Sequence, residues 1–176
     1  MNDEPAQQRL KIVALSSDHA RSAFSCGVDA LDRYLKTQAG QDVRRRANGV
    51  FIMVLEEEPR TILGYYTLAA TALPPGEVPD AARRYLPRYP LVSATLLGRL
   101  AVVAGHQGSG LGAILLADAL RRAYLSAGTV GSSMVVVDAI DERAARFYAA
   151  HGFLRLPDSL RLVLPMRVIE RVVMTP

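Results

Sequence analysis

Cysteine occurs once in this 176-residue chain, at Cys26, so neither a disulfide framework nor a cysteine-based metal site can be built from it. A reducing cytoplasm fits that usage. Long apolar runs are missing too. None reaches the roughly 18 residues that a membrane span needs, and the opening M-N-D-E-P is polar and acidic, unlike a signal peptide. Lysine is confined to Lys11 and Lys36, which leaves arginine to carry most of a net charge of +4. The arginines gather at 44–46, at 83, 84 and 88, and at 121 and 122. Guanidinium groups suit bidentate contact with phosphate, so these clusters are either coenzyme or nucleic-acid contacts or an ordinary solvated surface. There is no repeat and no low-complexity linker. A single domain over 1–176 is expected, with 1–9 as a loose arm.

What is present is concentrated at residues 97–120. An apolar strand runs into a turn with glycines at 105, 108, 110 and 112, and a long helix with one apolar face follows. That order puts free amide N–H groups at a helix N-terminus, where partial positive charge collects and phosphate oxygens bind. A Walker loop is excluded: its last glycine precedes Lys and then Ser or Thr, whereas Gly112 precedes Ala113 and Ile114. A dinucleotide fingerprint wants G-x-G-x-x-G with an acid about 20 residues on. Here the spelling is G-S-G-L-G, and the next strand reaches its acid at Asp138, too late for that role. The third spelling, Gln/Arg-x-x-Gly-x-Gly/Ala, is met by Gln107, Gly110 and Gly112.

Periodicity around this feature predicts a mixed α/β sheet. Strands are expected over 10–15, 50–55 and 62–69, with a charged hairpin turn at 56–60. Apolar residues at 28, 31, 34 and 35 give a helix over 28–39, and 44–48 reads as a basic connector. Five prolines between 74 and 90 punctuate an irregular segment around a short helix near Asp80. The helix after the glycines turns Gly112, Leu116, Ala119, Leu120 and Ala123 inward and Asp118, Arg121 and Arg122 outward. Leu111 and Ile114 fall on its side or exposed faces. An all-apolar strand from Met134 suits a sheet covered on both faces. Asp141 can cap a helix over 142–151 that Gly152 ends, and strands over 153–156 and 160–164 close the chain.

Two further stretches extend the pattern of the glycine turn. A-A-R-F-Y-A-A-H-G-F over 144–153 is similar to the A-x-x-F-Y-x-x-x-G-F segment that follows the fifth strand in GCN5-related N-acetyltransferases, the GNAT superfamily, whose acetyl-coenzyme A loop the third spelling also resembles. F-S-C-G-V-D-A-L-D-R-Y-L over 24–35, with G-Y-Y-T-L over 64–68 and G-R-L-A-V over 98–102, resembles a narrower family. These are the GNAT toxins of bacterial type II toxin–antitoxin systems, which acetylate the amino group of aminoacyl-tRNA. The likeness runs from about residue 15 to 164. It implies a GNAT-like mixed, twisted β-sheet flanked by helices, with splayed central parallel strands. It implies acetyl-CoA as cofactor, with Leu100, Ala101 and Val102 offering backbone groups to the pantetheine arm. Gln107, Gly108, Ser109, Gly110, Leu111 and Gly112 would hold the pyrophosphate, and Tyr148 would stand near the thioester sulfur. Ser109 stands where the family often has Lys, Arg or Gln, which removes one side-chain phosphate contact. The resemblance further implies aminoacyl-tRNA as acceptor, a cognate antitoxin of ribbon-helix-helix type, and a homodimer.

Acetyl transfer needs a neutral amine, an oxyanion contact and a proton for the departing thiolate. A backbone N–H near Val102 suits the oxyanion, and the Tyr148 phenol suits the proton. Tyr148 has an alternative reading as a core aromatic with its hydroxyl at the rim. An α-amino group titrates near 7.7–8.0, lower beside an ester, so no strong base is required. His106 and His151 read as turn and surface residues, and Asp138 and Glu142 as structural acids. Tyr65 and Tyr66 by stacking, and Arg44, Arg45 and Arg46 by phosphate contact, are expected at the acceptor. A GNAT acting on a small amine or a protein N-terminus, and a non-catalytic acyl-CoA- or nucleic-acid-binding module, stay open as alternatives.

Overall fold

The computed structural model describes residues 8–175. The first seven positions of the expected loose arm lie outside the described residues; at its end the Arg9 carbonyl accepts the Glu56 amide at 2.9 Å. In chain order the elements are β1 (Leu10–Ala14), α1 (Asp29–Arg33), a π-helical turn (Tyr34–Gln38), α2 (Ala39–Arg44), β2 (Gly49–Leu55), β3 (Gly64–Leu73) and α3 (Asp80–Arg83). They continue with β4 (Val92–Val102), α4 (Leu111–Ala127), β5 (Met134–Asp138), α5 (Glu142–Ala150), β6 (Leu154–Arg155), β7 (Arg161–Pro165) and α6 (Met166–Val173). Among the described residues seven strands form one mixed sheet in the order β1-β2-β3-β4-β5-β7-β6. The expected antiparallel front is the β1–β2 ladder, from Leu10 opposite Leu55 to Ala14 opposite Phe51. The expected parallel pair is β4–β5. Its ladder holds Thr95 opposite Val135 and Leu96 opposite Val136, and β4 runs on past it to Val102.

The chain divides into two compact units. The first comprises the residues up to Thr67 together with Arg99–Leu116. Its core gathers Phe24, Leu35, Val50, Ile52, Val54 and Tyr65. The helical spacing at 28–35 continues further than expected, through the π-helical turn to the end of α2. Asp42 closes that end by accepting Tyr34 Oη at 2.9 Å, Gln38 Nε2 at 3.0 Å and Asn48 Nδ2 at 2.9 Å. These donors, Gln38 and Asn48 foremost, hold its carboxyl below the usual range.

The second unit comprises Leu68–Gly98 and the residues from Ala117 on. Its core gathers Leu73, Val78, Val92, Ala94, Met134, Val136 and Val163. β5 buries Met134, Val135, Val136 and Val137 alike, as an all-apolar strand must. Antiparallel pairing of β5 with β7 sets Asp138 opposite Arg161, and the guanidinium meets that carboxylate at 2.8 Å and Glu77 at 2.7 Å. Asp141 caps α5 by accepting the Ala144 amide at 2.8 Å, and Gly152, at φ 92°, turns the chain beyond the helix.

Two expectations about packing are corrected. Leu111 is buried, along with Leu115, Leu116, Ala119 and Ala123 of α4, while Ile114 is exposed. The chain also closes on a helix rather than a strand: after Pro165, α6 buries Met166 and Ile169, and the Met166 amide donates to the Ser133 carbonyl at 2.8 Å. Among the described residues no helix is long and apolar enough to cross a membrane.

Candidate active site

The glycine turn is an open backbone surface between the end of β4 and the start of α4. The Val103 amide donates to the Leu63 carbonyl at 2.8 Å, and a 3-10 turn at Ala104–His106 then carries the chain away from the sheet. Gly108 and Gly110 adopt φ of 78° and 86°, the left-handed region that a side chain makes costly. A β-carbon on Gly105, Gly108 or Gly110 would meet nothing within 4 Å, so the main chain here faces open space. α4 begins at Leu111, and the first amides of any helix lack partners within it. Gly64 fixes this end of β4 from the side. A β-carbon there would come within 2.8 Å of both the Ala101 carbonyl and Leu115, so only glycine lets β3 pass so close.

Side chains of the turn hold it in shape. Gln107 Nε2 donates to the Cys26 carbonyl at 2.7 Å and to the Val102 carbonyl at 3.0 Å, joining three segments of the first unit. Ser109 Oγ donates to the His106 carbonyl. The hydroxyl is thus engaged within the turn where the resemblance would have a phosphate-reaching side chain. Behind Cys26 stands a group that sequence reasoning did not single out. Asp32, buried, accepts the Cys26 amide at 2.8 Å and Ser25 Oγ at 3.3 Å, and the Ser25 carbonyl accepts the Ala104 amide at 2.9 Å. The one available signal was the F-S-C-G-V-D-A-L-D stretch, whose two ends this carboxylate ties together. Burial, reinforced by Asp32, pushes the Cys26 thiol up to about 11, which keeps it protonated and unreactive at neutral pH.

Of the expected acceptor residues, Arg44, Arg45 and Arg46 are exposed at the end of α2 and just beyond it, and Arg46 has a φ of 57°. Tyr65 and Tyr66 require correction. Both are 0% exposed, so neither can stack on an acceptor base. Tyr65 donates its hydroxyl to the Leu31 carbonyl at 2.8 Å and packs edge-on against Phe24, while Tyr66 stacks on Phe51 at 5.1 Å. They are core residues of the first unit. Leu100 and Val102 are half-buried and Ala101 is buried.

Tyr148 belongs to the second unit, on α5, with its ring edge-on to Phe147 at 5.2 Å and to Phe153 at 5.5 Å. Its hydroxyl finds no hydrogen-bond partner among the described residues. Burial pushes its pKa above the ordinary phenol value, so the proton stays on Oη throughout the physiological range. Three of the four other candidates for proton chemistry are spoken for. Asp138 pairs with Arg161, Glu142 forms a two-point pair with Arg155 at 2.7 and 2.8 Å, and His151 Nδ1 lies 2.8 Å from the Phe147 carbonyl on the surface.

The donor set suits a diphosphate ester. Unobstructed main chain at Gly108 and Gly110 leads into a helix N-terminus, with no acid between residues 104 and 117 to repel an anion. A strand, a glycine turn and a helix of this kind, on a mixed sheet whose β4 and β5 run parallel, suit an acyl-CoA-dependent transferase. The chain belongs to the GNAT acetyltransferases, whose domain family matches residues 48–155. It is 33% identical over 147 residues to the tRNA-acetylating toxin of Mycobacterium tuberculosis, covering 83% of this chain and 86% of that protein. Among solved structures, AtaT complexed with acetyl-methionyl-tRNAfMet superposes with a TM-score of 0.84 at 29% identity, over 93% of this chain and 99% of that one. An AtaT mutant toxin bound to the C-terminus of the antitoxin AtaR and acetyl-CoA gives 0.80 at 28%, over 94% and 99%.

Proposed function

We propose that this chain is the toxin of a toxin–antitoxin pair and transfers the acetyl group of acetyl-CoA to the amino group of aminoacyl-tRNA, which blocks translation. The observation that carries this reading is the open glycine turn at the start of α4, in a chain one-third identical over most of its length to a tRNA-acetylating toxin. Acetyl-CoA supplies an activated thioester: a C–N bond forms to the amine, the C–S bond breaks, and the amine's proton is passed on to leave coenzyme A as a thiol.

The chain's own residues supply binding and proton placement. The amides of 107–112 hold the diphosphate, and the main chain of Leu100, Ala101 and Val102 aligns the pantetheine arm. Tyr148 Oη keeps its proton and presents it to the sulfur; its raised pKa suits a hydrogen-bond donor that is not itself ionised. No strong base is needed, because an α-amino group beside an ester is largely neutral at physiological pH. The exposed Arg44, Arg45 and Arg46 contact acceptor phosphates. The protein acts in the cytoplasm as a homodimer and is restrained by a cognate antitoxin of ribbon-helix-helix type; the AtaT structure bound to the C-terminus of the antitoxin AtaR supports the existence of such a partner.

The test is incubation with labelled acetyl-CoA and total charged tRNA. Label is expected on the aminoacyl end of one or a few tRNA species, together with arrest of translation in a cell-free system. Label on polyamines or peptides alone, with translation unaffected, overturns the reading.

A further inference from the structure

A second concentration of positive charge in the first unit lies outside the glycine turn. The guanidinium groups of Arg21 and Arg44 converge on the space over the Gly40 α-carbon. A β-carbon there would lie 3.1 Å from Arg21 Nη1 and 3.6 Å from Arg44 Nη1. Neither arginine has an ion-pair partner among the described residues. The acid nearest in sequence on α2, Asp42, is taken by Tyr34, Gln38 and Asn48. Two neighbouring guanidinium groups without a counter-ion repel each other, and a bound anion removes that repulsion. A cavity of about 190 Å³ opens at this point, with Ser16, Ser17, Arg21, Gly40 and Arg44 in its wall. Among the described residues no carboxylate lines it. Gly40 also lies just past the π-helical turn, a deviation from regular helix that recurs at functional sites.

We propose that this cavity is a phosphate pocket for the sugar–phosphate backbone of the RNA acceptor, built from residues other than those of the glycine turn. The two guanidinium groups take the phosphate oxygens in charge-assisted hydrogen bonds, and the Ser17 hydroxyl adds a neutral donor. Gly40 is small because the oxyanion occupies the space a side chain would fill. Arg45 and Arg46, exposed and next in sequence, extend the positive field along the strand of phosphates. The proposal rests on the acceptor reading above, and supplies it with a defined contact.

Three proteins test it: wild type, Gly40→Ala, and the double variant Arg21→Gln with Arg44→Gln. Binding of charged tRNA is measured against salt concentration, and the Arg21 Nε–H resonance is followed during titration with inorganic phosphate. The double variant is expected to bind tRNA about tenfold more weakly and to lose about one from the slope of log Kd against log salt, the signature of one phosphate contact. Gly40→Ala is expected to raise the thermal midpoint, since alanine is the better helix residue and the arginine tip can yield, yet to weaken tRNA binding several-fold. A merely structural glycine would not move these two readouts in opposite directions. Wild-type tRNA affinity and slope in the double variant overturn the pocket. A moving Arg21 resonance with inorganic phosphate, in a protein that binds no tRNA, keeps the phosphate site and overturns the RNA acceptor.

Discussion

Arginines live differently in the two units. In the second, Arg83, Arg122, Arg155 and Arg161 are each within 3.3 Å of a carboxylate, and every described ion pair falls in that unit. In the first unit the described residues form no ion pair: Arg21 and Arg44 stand over a glycine, Arg45 and Arg46 face solvent, and Arg99 lies 3.5 Å above the Tyr34 ring. The same side chain therefore does two jobs. Where strand ends and helix starts of the second unit need tying, it is paired, although Arg88, Arg121 and Arg146 of that unit form no ion pair among the described residues; in the first unit it is left available, as the proposed phosphate contacts require. The contrast between paired and open groups extends to the backbone, since the glycine turn of the first unit faces open space.

Tyr148, the proposed proton donor, belongs to the unit that holds the ion pairs, and it carries the largest expected effect. Tyr148→Phe should lower kcat at least about tenfold while acetyl-CoA affinity stays within about twofold, because the ring packing is kept and the proton is lost. Since burial holds the phenol protonated, the wild-type rate should rise as pH passes the acceptor amine's pKa and should then level off. Steady-state kinetics across pH 6 to about 9.5 check both statements. A fall in rate within that window, or normal turnover in the phenylalanine variant, returns Tyr148 to the core.

Next in size is a test that the first unit's aromatics are structural. Tyr65→Phe removes the hydroxyl's hydrogen bond to the half-buried Leu31 carbonyl and should cost about 1 kcal/mol of stability, read by denaturant unfolding, while leaving tRNA affinity unchanged. Gln107→Leu follows. Loss of its two bonds loosens the glycine turn and should raise the Kd for acetyl-CoA about tenfold, measured calorimetrically. Asp32→Ala should act in the same direction through Cys26, and Asp32→Asn, which still accepts hydrogen bonds, should restore most of the affinity. Additive losses in the Gln107 and Asp32 double variant would separate the two residues.

These cases mark what was legible in the chain. The glycine turn, the Asp141 cap and the apolar β5 strand are local: neighbouring residues determine each of them, and the sequence displays those neighbours. Tyr65 and Tyr66 were misplaced because strand periodicity says that alternate residues face opposite sides, not what covers each side; here both sides are closed. Gln107 met its partner Cys26 from 81 residues away, a pairing that no local pattern encodes. The closing helix α6 follows a proline and is short, and only the spacing of Met166 and Ile169 hinted at it.

The smallest expected effect probes the paired side of the comparison. Arg155 grips Glu142 through two hydrogen bonds at the start of α5, and holds that carboxyl below its ordinary range. A carboxyl whose pKa is lower folded than unfolded adds stability above the unfolded pKa, and that contribution disappears as pH falls through the folded value. Both groups are solvent-exposed, so the effect is a modest shift of the thermal midpoint. Arg155→Gln should therefore unfold slightly earlier than wild type at pH 7, and the two midpoints should converge as the pH drops below the glutamate range, about 4.3. High salt should narrow the gap at pH 7 in the same way. Raising salt should also weaken tRNA binding steeply through the open arginines of the first unit, and far more than it shifts this midpoint, because released counterions count once for every phosphate contacted. Equal salt sensitivity of the two would show that paired and open arginines do not divide the molecule's work.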